Sequence, residues 1–150
     1  MIPGNKLSIL MLGTMAGAMI CLCVASLNAP LWFEEEQKTR EETVRKRLDA
    51  IADAEKRYKT DHGTYCASLD VLVSKGYMSD SLKFVPFSDG ATFSLKASAD
   101  TSETGFVTPS FECGATYRDF LKGMDANSIS TLVHDAEAQS RFPGICVIGY

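Results

Sequence analysis

An uncharged stretch near the start of the chain limits what the chain can fold into more than any other feature. No charged residue occurs between Lys6 and Glu34, so residues 7–33 form one continuous uncharged run. As an α-helix this run would reach roughly 40 Å, enough to cross the hydrocarbon core of a bilayer with some tilt. We therefore expect a transmembrane anchor at residues 1–33, in contact with the lipid bilayer through residues 7–33.

A cleaved secretory signal is an alternative interpretation of this stretch, because Lys6 followed by apolar residues 7–25 also fits the basic and apolar regions of a signal peptide. A lipoprotein signal is a further alternative, but the residues before Cys21 and Cys23 lack the small residue that such a signal places before its cysteine. A retained anchor is favoured because the apolar run continues through residues 31–33, where Trp32 and Phe33 would be the interfacial aromatic anchor.

Two glycines inside the anchor have the spacing of a helix-packing motif. Gly13 and Gly17 are four residues apart and so lie on one face of the helix, where a second membrane helix can approach closely. Small residues are common in membrane helices, so the alternative is that this face contacts lipid only.

The segment that follows predicts a helical stalk at residues 34–62. It contains no proline or glycine before Gly63, and most of its residues are strong helix formers. Apolar residues recur at helical spacing along one narrow stripe, formed by Val44, Leu48, Ile51 and Tyr58. We expect the stalk to pack on the rest of the chain through this stripe, and Gly63 to end the helix.

Residues 63–150 predict one small soluble domain. The patterns favour a short helix, three strands with a turn at 88–90, a second helix and a last strand, at 68–73, 82–87, 91–97, 105–112, 127–140 and 145–150. The fold class expected is therefore α+β: a long N-terminal helix packed on a small antiparallel sheet, with a second helix near the C-terminus.

The end of the stalk resembles the type IV pilins and the pseudopilins of type II secretion. In those families a long helix ends in an apolar-x-x-Ala-x-x-x-Tyr stretch followed by Gly-x-Tyr. Here the stretch is Ile51, Ala54 and Tyr58, and Gly63-Thr64-Tyr65 follows. The resemblance implies a pilin-like, non-catalytic subunit or accessory of an envelope secretion or pilus-type assembly. Its partners would be other membrane or envelope-assembly proteins.

The prepilin processing site of these families is absent from this sequence. Their precursors carry a glycine at the cleavage point and a glutamate five residues into the mature helix. Here Gly4 is followed by Asn5 and Lys6, and no acidic residue precedes Glu34. The resemblance therefore implies an unprocessed, single-pass protein of the bacterial inner membrane with a periplasmic domain. The C-terminal flank of the anchor carries more basic residues than the N-terminal flank, which has Lys6, and this count favours a cytoplasmic domain instead. Large domains can cross the membrane despite such charges, so the topology stays open.

Cysteines supply one candidate covalent link. Cys113 and Cys146 flank the second helix of the domain, and in an oxidising compartment a disulfide between them would join the last strand to the sheet. The alternative is that both, together with Cys66, are buried thiols that act as small hydrophobic side chains.

The sequence offers no candidate catalytic, cofactor-binding or metal-ligating residues. Of the two histidines, His62 lies at a helix end, and His134 is not at the i,i+4 spacing from Asp135 or Glu137 that brings ligands onto one helix face. A net charge of −4 without a clustered basic face gives no indication of nucleic-acid binding. We expect no enzyme and no cofactor.

The alternative function is a membrane-tethered extracytoplasmic binding or sensing module. Its contact surface would be the sheet and the loop at residues 100–105, with aromatic side chains such as Phe84, Phe87 and Phe106 lining a pocket.

Overall fold

The computed structural model describes the backbone of residues 4–150 and the side chains of that range other than residues 4, 5, 7 and 27–29. Residues 1–3 of the predicted anchor lie outside the described residues. The chain divides into two compact units, Met1–Glu36 and Gln37–Tyr150. Helix α1, Gly4–His62, contributes to both of them.

In the first unit, every described side chain from residue 8 to residue 26 is exposed. Leu12, for example, is 75% exposed. Within the described part of the chain, one helix is long and apolar enough to cross a membrane, and none of its apolar window is buried inside the protein. A core helix of a soluble protein would be buried. The length and composition of this segment fit a single membrane span or a signal sequence.

The second unit has an α+β fold, as predicted. Helix α1 packs on a three-stranded antiparallel sheet of order β1-β2-β3, with a short helix near the C-terminus. After α1 the elements are α2 (Leu69–Ser74), a 3₁₀ turn (Asp80–Lys83), β1 (Ser94–Thr101), β2 (Val107–Thr116), α3 (Tyr117–Phe120), α4 (Ala126–Ala138) and β3 (Gly144–Gly149).

The core of this unit lies between α1 and one face of the sheet. Phe111, Cys113 and Ala115 lie on the same face of β2 and are buried, and Ile145 of β3, directly opposite Ala115, is buried with them. The largest of the fully buried side chains come from both layers and from the segments that close the ends: Val44, Leu48, Ile51, Glu55, Leu72, Phe111, Cys113, Phe120 and Leu121. Burying apolar side chains of this size contributes about 1.5–3 kcal/mol each.

Three arginines of α1 attach the helix to loops of the domain by donating to backbone carbonyls. Arg40 Nη1 lies 3.2 Å from the carbonyl of residue 120 and 3.0 Å from that of residue 122. Arg47 Nη1 lies 2.8 Å from the carbonyl oxygen of Phe84, and Arg57 Nη2 lies 2.7 Å from that of Tyr77. These bonds give the carbonyl oxygens a donor from the helix.

Glycine allows the close pairing of β2 with β3. A Cβ atom at Gly144 would lie 2.1 Å from the carbonyl oxygen of Ala115, and one at Gly114 would lie 2.9 Å from that of Ile145. Any larger residue would push the two strands apart.

The predicted strand at residues 82–87 is wrong. Asp80–Lys83 forms a 3₁₀ turn, and only Phe84 makes an isolated bridge, to Thr92. Arg47 occupies the carbonyl oxygens of Ser81 and Phe84, and Pro86 has no N–H to donate, so a regular ladder cannot extend through this segment.

The other predicted elements exist, with shifted bounds. Helix α4 begins at Ala126, one residue early, because the Asp125 side chain accepts the N–H of Ser128 at 2.7 Å. It ends before the predicted Ser140, which has a left-handed φ of 52°. Strand β2 runs to Thr116 because β3 pairs with it along its whole second half, and the short helix α3 was not predicted.

Truncating the centre of the stripe should destabilise the second unit strongly. We expect Leu48→Ala to lower the free energy of unfolding by roughly 2–5 kcal/mol, because it leaves a cavity between helix and sheet. Urea unfolding of the full chain in detergent, followed by far-UV circular dichroism, measures this. The exposed neighbour Lys46→Ala is the control, expected within about 0.5 kcal/mol of the wild type. Equal costs for the two variants would contradict the packing described.

Candidate functional site

The predicted stalk stripe lies at the junction of α1 with the sheet. Val44, Leu48 and Ile51 are completely buried there, and Tyr58 is half-buried. Beside the stripe, Glu41 accepts a hydrogen bond from the side chain of Gln37 at 2.7 Å. The stripe is a structural surface that holds the domain to the helix.

An aromatic cluster surrounds the end of α1. The ring of Tyr58 lies 4.2 Å from that of His62 and 5.4 Å from that of Tyr77, both edge-on. Lys75 Nζ lies 3.2 Å from His62 Nε2, so this ring nitrogen accepts a hydrogen bond from the lysine. Tyr77 donates to Asp61 Oδ2, and this hydrogen bond raises the pKa of Tyr77. The side chains of this cluster therefore pack around the C-terminal end of α1.

The chain reverses direction at Gly63, and the side chain of Tyr65 then packs on the sheet. Gly63 has a φ of +78°, and its N–H donates to the carbonyl of Lys59 at 2.7 Å, which is the glycine-terminated helix end expected from the sequence. The ring of Tyr65 lies 4.7 Å from that of Phe111, and its hydroxyl donates to the backbone carbonyl of Tyr150. Tyr65 therefore joins the helix end, the sheet and the C-terminal residue.

A buried carboxyl group, Glu55, is the main feature of this junction that the sequence did not reveal. Its side chain is completely buried; Oε2 accepts the N–H of Cys66 at 2.8 Å, and Oε1 has no partner among the described residues. Burial raises the pKa of Glu55, against the opposing effect of that hydrogen bond. The one available signal was its position, four residues after Ile51 on the apolar stripe.

The thiol of Cys113 lies on the same buried face. Burial, with a smaller contribution from the negative charge of Glu55, raises the pKa of Cys113 to about 12. A thiol held so strongly in its neutral form is a poor nucleophile and a poor metal ligand. No group of three or more His, Cys, Asp or Glu among the described residues is arranged to hold a metal ion.

The predicted disulfide between Cys113 and Cys146 is not formed. Both are free cysteines. In the ladder, Cys113 lies opposite Val147, whereas Cys146 lies opposite Gly114, so the two side chains point to opposite faces of the sheet. A bridge would require a one-residue shift of β3, which the close contact at Gly144 opposes.

The three aromatic residues of the predicted binding pocket are not brought together. Phe84 bridges to Thr92 ahead of β1, and Phe87 lies under the Arg40 guanidinium at 4.8 Å. Phe106 is 76% exposed in the loop beyond the other end of β1. The three side chains therefore cannot line one pocket.

Comparisons with protein-family models, curated proteins and solved structures found no match to this chain. Support for a function therefore comes from the chain's own residues and their contacts.

The raised pKa of the buried Glu55 carboxyl should make the stability of the domain depend on pH. A carboxyl whose folded-state pKa is raised stabilises the fold fully below its unfolded pKa of about 4.5, and this contribution is lost as pH rises through the folded pKa. Glu55→Gln keeps the acceptor for Cys66 and removes the charge. We expect the free energy of unfolding of the variant to rise relative to that of the wild type as pH increases from 4 to 8, by roughly 1–3 kcal/mol over the whole range.

Urea unfolding of the full chain across this pH range measures the difference. The exposed Glu42→Gln is the matched control on the same helix and should follow the wild type at every pH. Parallel curves for Glu55→Gln and the wild type would show that the carboxyl is not buried as described.

The cysteines should all be free. Alkylation of the full chain, unfolded without reductant and mapped by mass spectrometry, should modify Cys66, Cys113 and Cys146 completely. In the folded chain at pH 8, Cys113 should stay unmodified because it is buried and neutral. Recovery of a linked pair of peptides containing Cys113 and Cys146 would contradict the strand register.

Proposed function

We propose that this chain is a non-catalytic, single-pass membrane protein with a pilin-like domain, acting as a subunit or accessory of a secretion or pilus-type assembly in the bacterial envelope. One observation carries the proposal: helix α1 contains an exposed apolar segment at residues 8–26 and, later, a buried stripe packed on a small α+β domain. A helix that serves both purposes is the defining feature of pilin-like subunits.

The exposed apolar segment supports a membrane role. Large apolar side chains such as Leu12, Met15 and Leu22 are more than 60% exposed, and a water-soluble surface rarely carries so many together. A Cβ at Gly13 or Gly17 would meet no described atom within 4 Å, so this face is open to lipid or to another helix. Its role in helix packing remains a prediction.

The junction supports the pilin-like character of the domain. The residues that carry the resemblance, Tyr58, Gly63 and Tyr65, lie where the helix ends, reverses and contacts the sheet. Each of them has a packing contact or backbone conformation that explains its identity. With Gly4 followed by Asn5 and no acidic residue before Glu34, we propose an uncleaved anchor in the inner membrane and a periplasmic domain.

Reporter fusions test the topology. Alkaline phosphatase joined after Tyr150 of the full chain should be active, because the domain lies outside the cytoplasm, and a β-galactosidase fusion at the same position should be inactive. An N-terminal tag should remain on the membrane-bound protein. The reverse pair of activities would place the domain in the cytoplasm and overturn the pilin-like assignment.

Photo-crosslinking tests the assembly role. A photoreactive amino acid at Met15, in the exposed apolar segment, should give crosslinks to other membrane proteins in intact cells. The same group at the exposed Lys46, on the domain, is the control for random collisions. A monomeric profile in mild detergent with no crosslinked product from Met15 would contradict a subunit role.

A tethered binding module is the second candidate, and a cavity favours it. A cavity of about 480 Å³ lies beside β3 in the second unit, and its lining includes Arg45 and Arg141. Ligand pockets of proteins have volumes of this order.

A further inference from the structure

The cavity beside β3 brings together side chains from four elements of the second unit. Strand β3 is an edge strand, and α1, α3 and α4 each contribute residues around its first half. The lining consists of Arg45, Tyr117, Leu132, Asp135, Ala136, Gln139, Arg141, Phe142, Gly144, Ile145 and Cys146. Neither the stalk stripe nor the buried Glu55 belongs to this site.

Two guanidinium groups in the lining have unused donors. Within the described residues, the guanidinium groups of Arg45 and Arg141 make no hydrogen bond or ion pair, unlike those of Arg47 and Arg57 on α1. Each guanidinium offers five N–H donors in a planar fork that matches a carboxylate or a phosphate. Two guanidinium groups with unused donors beside one cavity favour an anionic ligand.

The positive charges of both arginines act on the Tyr117 hydroxyl. Burial raises the pKa of Tyr117, the charge of Glu41 adds to this rise, and the charges of Arg141 and Arg45 oppose it. The side chain has no hydrogen-bond partner among the described residues. A third free donor therefore accompanies the two guanidinium groups at the cavity.

The charges and walls of the cavity restrict the anion. Asp135 in the lining and Glu41 nearby offset much of the charge of the two arginines, which favours a single negative charge over a phosphate dianion. Leu132, Phe142 and Ile145 supply apolar walls that suit an apolar group attached to the anion.

We propose that this cavity binds a monocarboxylate that carries an apolar group, with Arg45 and Arg141 holding the carboxylate and Tyr117 donating to it. Such a group occurs in a free apolar acid and in the C-terminal residue of a protein chain. The binding chemistry does not depend on the assembly role proposed above.

Protection of Cys146 tests the proposal, because this half-buried cysteine is part of the lining. The full chain in detergent is treated with N-ethylmaleimide in the presence of phenylacetate or N-acetylphenylalanine, and modification of Cys146 is followed by mass spectrometry. We expect an acid to slow the modification in a saturable way. The neutral amides of both probes should leave the rate unchanged.

Two variants and one control assign the anion contacts. Arg45→Gln and Arg141→Gln should each raise the dissociation constant of the protecting acid at least tenfold. Arg118→Gln, an exposed arginine on α3 outside the lining, should not change it. Unchanged melting temperatures in the absence of probe separate lost binding from lost folding.

The probes also distinguish the two sources. Stronger protection by N-acetylphenylalanine indicates a C-terminal residue, and stronger protection by phenylacetate indicates a free acid; either supports the proposal. Equal protection by acids and amides, stronger protection by inorganic phosphate, or no protection by either acid at millimolar concentration would overturn it.

Discussion

The packing of α1 against the sheet is the interaction on which the rest of the domain depends. A three-stranded sheet cannot bury its own apolar face, so it needs a second layer, and the stripe through Leu48 and Ile51 supplies that layer. The arginines Arg40, Arg47 and Arg57 then attach the surrounding loops to the same helix through backbone carbonyls. Loops without regular structure of their own are therefore positioned by the helix, and so are the surfaces they carry.

This junction also contains two ionisable groups whose pKa values burial raises, Glu55 and Cys113. Among the described residues, one oxygen of this buried carboxyl has no partner, and ionisation of the group would place a charge between helix and sheet. The cost of that charge links the stability of the domain to pH. An apolar residue at position 55 would pack in the same layer without making stability depend on pH. Glu55 therefore gives the domain a pH dependence that the apolar stripe alone would not have.

The chain presents two surfaces away from the junction, and they suggest different partners. The exposed apolar side chains at residues 8–26 fit contact with lipid or with another apolar helix, which agrees with the proposed subunit of a membrane assembly. The cavity beside β3 offers unused donors from Arg45, Arg141 and Tyr117, which agrees with an anionic ligand. A membrane-anchored subunit can carry both surfaces.

The sequence by itself determined helix α1, because its signals are local: uncharged length at residues 7–33, a stripe of period 3.6 around Leu48, and a helix-ending glycine at Gly63. It also determined the α+β class. Only the tertiary structure decided that residues 82–87 do not form a strand and that Cys113 and Cys146 lie on opposite faces of the sheet. It also decided that Glu55 is buried and that Arg45 and Arg141 lie beside one cavity. Each of these depends on strand register or on contacts between residues far apart in the chain, which no local pattern specifies.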